Sequence, residues 1–163
     1  MAGMGLTTLL VPALLEREVP PIAAAWALGA LGLAQLPGRI WPTSRTVRPA
    51  LLNLAALLLQ GCGLLLIAPR TVPLGGVVVG VMLFGAVAGM QTVLRPWLNE
   101  RLVGAAAAGQ WNGEVARIQG FARADAPLAA VGLADFLGTP AVLLVAGLLV
   151  LACLPSASRL ARL

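Results

Sequence analysis

Lysine, histidine and tyrosine are absent from this chain, and only six residues are acidic. With no histidine and with carboxylates set singly, the sequence lacks a metal-ligand cluster, an acid–base pair and a nucleophile beside a base. Ser44, Ser156 and Ser158 have no such partner either. Enzymatic catalysis, a metal and a cofactor are therefore not expected. Cys62 and Cys153 fall inside apolar runs without the paired spacing of a disulfide or metal site. They are expected to be free, buried thiols acting as small hydrophobes. The N-terminus lacks the basic region and small-residue cleavage site of a secretory signal.

Charge is scarce as well. Only 10% of residues are charged against 60% hydrophobic, with a mean hydropathy of +0.94. Soluble domains carry about a quarter charged residues, so this composition points to a membrane protein whose first partner is the lipid bilayer. The net charge of +5 comes from eleven arginines spread between apolar runs. Such spacing leaves no soluble basic face, and no nucleic-acid partner is expected.

What is present is a succession of apolar runs centred on Leu74–Leu94, which is free of charge. As a helix it reaches about 31 Å, roughly one bilayer core. Gly76/Gly80 and Gly85/Gly89 are small-residue pairs at helical spacing, the pattern that lets membrane helices approach closely. Gln91, Thr92 and Arg95 share one face at its end, and Pro96 is expected to stop the helix. A long polar loop is expected from Arg95 to about Glu114.

The remaining spans are placed at 19–36, 49–68, 115–134 and 137–154, with 1–15 as a partial one. The expected fold is all-α, a polytopic transmembrane helix bundle in one domain with five full spans plus a partial N-terminal one. Pro37, Gly38 and Arg39 are expected to break the first full span, and Trp41 to anchor it at the interface. Asn53 and Gln60, seven apart, share a face suited either to interhelical hydrogen bonds or to a substrate path. The 115–134 span carries Arg117, Arg123 and Asp125, each tolerable only if it faces the bundle interior or a water-filled cavity. Asp125 is expected either as a hydrogen-bonded buried carboxylate or as a carrier of a coupling proton.

Arginine placement orients the chain. Arg39, Arg45, Arg48, Arg95, Arg101, Arg117, Arg159 and Arg162 fall on one side, against Arg17 and Arg70 on the other. The arginine-rich side, including the C-terminus, is expected in the cytoplasm of a cell-membrane protein, with 16–21, 69–73 and 135–140 outside.

Three stretches resemble bacterial permeases of the major facilitator superfamily. GLAQLPGRI (Gly32–Ile40) is similar to the end of that family's eighth helix, with Gly38 and Arg39 in its cytoplasmic loop motif. GAVAGMQTVLRPWLNERL (Gly85–Leu102) resembles the tenth helix and its exit, including Thr92 and Arg95. WNGEVARIQGFARADAP (Trp111–Pro127) resembles the start of the eleventh. The loop after Arg39 lacks the family's acidic partner and second basic cluster, and Asp125 stands where an apolar residue is usual.

The resemblance implies that the whole chain is half of such a fold, its C-terminal half, beginning within the seventh helix. It implies a path for a small-molecule solute lined by the seventh, eighth, tenth and eleventh helices. Gln91, Thr92, Arg95, Arg123 and Asp125 are the path candidates, although Arg95 is equally suited to snorkel at the interface. Such a half would act with an N-terminal six-helix half or by self-association. A truncated, non-transporting remnant and a small membrane scaffold docking partners through the glycine pairs are the alternatives.

Overall fold

The computed structural model describes residues 2–40 and 48–160. Trp41, Ser44, Arg45 and Arg162 lie outside them. Every regular element among the described residues is an α-helix: α1 (Ala2–Leu15), α2 (Pro21–Ile40), α3 (Pro49–Ile67), α4 (Leu74–Val103), α5 (Ala105–Leu137), α6 (Thr139–Ala152) and α7 (Leu154–Leu160). Among them, four stretches are long and apolar enough to cross a membrane: Pro21–Ile40, Pro49–Ile67, Leu74–Val103 and Thr139–Arg159. Leu6–Leu15 is a shorter apolar helix. The chain is thus compatible with a membrane-spanning protein. The expected span at 115–134 is not among the four. It forms the middle of α5, where Arg117, Arg123 and Asp125 interrupt the apolar sequence.

Two expected helix stops do not occur. Pro37 lies inside α2, and α4 continues past Pro96 to Val103. Each proline removes one N–H and crowds the carbonyl four residues before it. Both prolines are exposed, so the freed carbonyl can tilt outward while the flanking turns hold the helix.

The expected loop from Arg95 to Glu114 is a helical hairpin instead. Gly104 alone separates α4 from α5, at φ 80 and ψ 157, a region open essentially to glycine only. Gly138, at φ 81 and ψ 149, makes the same one-residue junction into α6. Helices of 30 and 33 residues reach about 45 and 50 Å, longer than a hydrocarbon core of about 30 Å. Their joined ends therefore extend beyond the apolar part of the bundle. Across this hairpin Asn99 Nδ2 donates to Asn112 Oδ1 at 2.7 Å, and the Arg101 guanidinium lies 5.3 Å from the Trp97 ring centre.

Within the bundle α4 is central, packed along both α2 and α3. Small residues make this possible. Gly89 meets the Gln35 carbonyl of α2, and Gly38 of α2 meets the Ala86 carbonyl of α4. A Cβ on Gly85 would stand 2.6 Å from the Leu31 oxygen, and one on Gly80 2.8 Å from the Gly63 oxygen. Gly76 faces only Val72, just before its own helix. The main core gathers Leu10, Leu14, Leu31, Leu64, Phe84 and Leu143 from five helices. A smaller one (Ala56, Val87, Met90) lies further along α3 and α4. Trp26, Leu33, Phe121, Leu128 and Phe136 point outward, an apolar surface that hydrocarbon can cover.

Cys62 and Cys153 are free, as expected, but both are exposed rather than buried. In such a chain the outer face is as apolar as the core, so an apolar neighbourhood in sequence carries no information about burial.

The close helix contacts predict an asymmetry among glycines. Gly89→Ala should force α2 and α4 apart and lower stability by about 1–3 kcal/mol. Gly29→Ala, with nothing within 4 Å of the added methyl, should leave stability unchanged or slightly raised. Thermal unfolding of the two variants in the same detergent checks the contrast.

Candidate functional site

Two polar clusters sit at opposite ends of the bundle. The first begins in the short loop after α1. Val19 N–H bonds the Leu14 carbonyl and Glu18 N–H the Leu15 carbonyl, with Glu18 in the left-handed region at φ 62. This is the Schellman pattern of a helix C-terminus, with glutamate where glycine is usual. It holds Glu16 and Arg17 against the neighbouring turns. Arg17 donates to the carbonyls of Ile67 (2.5 Å), Pro69 (2.6 Å) and Val72 (3.2 Å), closing the α3 C-terminus and the α3–α4 turn. Glu16 accepts from Thr139 Oγ1 at 2.6 Å and from Arg70 at 2.6 Å. Its carboxylate therefore lies beside the α6 N-terminus, where the helix dipole favours negative charge.

The Thr139 hydrogen bond holds the Glu16 carboxyl below the usual carboxylate range; partial burial opposes this and Arg70 reinforces it. Burial, and less strongly the Arg70 charge, lowers the Arg17 guanidinium. Its ordinary value is so far above neutrality that it stays cationic. The cluster joins the 16–20, 68–73 and 138–139 turns, so the three turns expected on one side do lie at one end. The sequence puts 16–21 and 69–73 on one side without pairing any residue of one with the other. The available signal was the lone Arg70 on the same side as two glutamates.

The second cluster starts inside the bundle. Gln91 Nε2 of α4 donates to Gln60 Oε1 of α3 at 2.8 Å, and both side chains are buried. Arg95 donates in turn to Gln91 Oε1 at 2.8 Å. Thr92 takes no part, because its hydroxyl donates to the Gly89 carbonyl of its own helix at 2.7 Å. Beyond Arg95 lies a cavity of about 230 Å³, lined by Asn53 of α3, by Arg95, Leu98, Asn99 and Leu102 of α4, and by Val115 of α5. Asn53 and Gln60 thus divide the two roles open to them: Gln60 bonds between helices and Asn53 faces the cavity.

Arg123 and Asp125 are not drawn into either cluster. Both are exposed on α5, and neither forms an ion pair among the described residues, where the pairs are Arg70–Glu16 and Arg117–Glu114. A buried, hydrogen-bonded Asp125 is therefore not what the fold contains. Gly38 is buried against α4, whereas Arg39 is exposed. Gly80, Gly85 and Gly89 are occupied by this chain's own helices. Among the described residues no group of histidine, cysteine and carboxylate side chains could hold a metal.

No family model, curated protein or solved structure matches the chain.

Arg17→Ala leaves three carbonyls without their charged donor and should cost on the order of 2 kcal/mol. Arg17→Lys should recover part of it, since an ammonium cannot span the carbonyls as a guanidinium does. Unfolding midpoints in detergent measure both.

The lowered Glu16 value has a definite sign. Its stabilisation is complete above the unfolded carboxylate value and is lost as pH falls through the folded one. Melting temperature should therefore drop with acidification below the carboxylate range, by an amount set by a contribution of about 1 kcal/mol or less. Glu16→Gln should flatten that dependence, and an unchanged pH profile would contradict the assignment.

Proposed function

We propose that this chain is one half of a permease of the major facilitator type and moves a small solute across the cell membrane by alternating access. The observation that carries this reading is α5. It joins an otherwise apolar bundle, yet it exposes Arg123 and Asp125 without an ion-pair partner among the described residues. Charges at mid-membrane cost about 2.5–3.5 kcal/mol each on insertion scales. A helix carrying two of them is stable there only against a water-filled path or another protein surface. In transporters built from two halves that path lies at their interface, near mid-membrane. A second six-helix half, or a second copy of this chain, would close it.

The scaffold alternative needs free glycine surfaces. Gly80, Gly85 and Gly89 are taken up by α2 and α3, which weighs against it.

Co-expressed with a six-helix partner, the chain should confer accumulation or extrusion of a radiolabelled solute from a panel of sugars, amino acids and organic acids. Arg123→Gln should reduce that flux at least tenfold. If Asp125 carries a coupling proton, Asp125→Asn should abolish its pH dependence; unchanged pH coupling discards that role. A reporter fused after Arg162 should read cytoplasmic. Flux indifferent to the chain in every combination would leave the non-transporting remnant as the reading.

A further inference from the structure

We propose that the cavity beside Arg95 is a binding site for an anionic group, a phosphate or carboxylate carried by a lipid headgroup or by a free small molecule. The site stands on its own geometry and does not depend on the transport reading.

The argument begins with how Arg95 is held. Gln60 and Gln91 form a buried amide pair, and the Gln91 oxygen takes one guanidinium N–H. A guanidinium has five N–H donors, so this one bond orients the fork and leaves donors for a ligand. The cavity wall beside it adds the neutral amides of Asn53 and Asn99 and no acidic side chain. Asn99 is itself fixed by its bond to Asn112.

Charge is out of balance at this point. Arg95 has no carboxylate partner within ion-pair distance among the described residues. Of the acidic residues near it in sequence, Glu114 is engaged by Arg117 at 2.8 Å, and Glu100 pairs with neither Arg95 nor Arg123. A guanidinium with spare donors and no carboxylate partner among the described residues favours an anion beside it. Arginine's planar fork suits the bidentate geometry of phosphate and carboxylate.

Size and position narrow the class. A volume of about 230 Å³ is below the usual range of about 300–1,000 Å³ for drug-sized ligands. A headgroup or small anion fits it better than an extended substrate. Arg95 stands 21 residues beyond the first residue of α4, roughly 31 Å along the helix and thus about one bilayer core away. Lipid phosphates and aqueous anions are both found at that depth.

The test uses the full chain purified in dodecyl maltoside, which contains no phosphate, so binding is read without any second half or flux. Equilibrium dialysis with ³²P-phosphate reads the free anion, and native mass spectrometry after exposure to phosphatidylglycerol reads the headgroup. Wild type should bind in at least one arm, and the arm that responds identifies the source. Arg95→Gln should weaken binding at least tenfold, Arg95→Lys less, and Arg70→Gln at the opposite end not at all. Raised ionic strength should weaken phosphate binding. Should Arg95→Gln fail to fold by circular dichroism, Asn99→Leu and Asn53→Leu give the same readout and should each reduce binding about threefold or more. No binding by wild type in either arm, or wild-type affinity in the folded Arg95 variant or in both substitutes, overturns the site.

Discussion

The structure depends on how closely α4 approaches the backbones of α2 and α3. Hydrocarbon is as apolar as leucine, so membrane helices gain little by hiding apolar side chains from it and associate through close packing instead. Gly89 against Gln35, Gly38 against Ala86, and Gly80 against Gly63 bring backbones together where any side chain would intervene. With the three helices held at that distance, Gln60 and Gln91 meet in the interior and satisfy each other. At a wider separation each would be an unpaired amide in a low-dielectric core, a costly state. The glycine contacts and the amide pair therefore support one another.

The two ends of the bundle are built differently. At one end Arg17 and Glu16 tie the α1–α2 loop to the α3–α4 turn and to the start of α6. Glu16, Arg17 and Arg70 are all hydrogen-bonded there, which makes that end a structural lock. At the other end α4 and α5 continue as a hairpin, and the cavity opens among Asn53, Arg95 and Asn99. There Arg95 has no carboxylate partner among the described residues.

Much of the helical content was legible. The runs at 49–68 and 74–94 match α3 and the apolar part of α4 closely because an uncharged stretch of about twenty residues has few stable alternatives in lipid. Pro37, Pro96 and the polar residues of 95–114 read in isolation as stops and loops. In the folded chain exposed prolines are accommodated, and polar residues ride on helices that extend beyond the bundle. The pairing of Arg95 with Gln91 followed from four-residue spacing. The partner of Gln91 on α3 did not, because spacing along a chain contains nothing about which helix lies beside it.

The sequence by itself determined that this protein is helical, strongly apolar and built of segments able to cross a membrane. Those properties depend on local composition and on the need to satisfy backbone hydrogen bonds within each segment. Only the tertiary structure decided which charges are neutralised and which are left over. Glu16 finds Thr139 across 123 positions, while Arg95 finds an amide and, among the described residues, no carboxylate. Charge pairing is a matter of distance in space, and helix packing, rather than order along the chain, sets those distances.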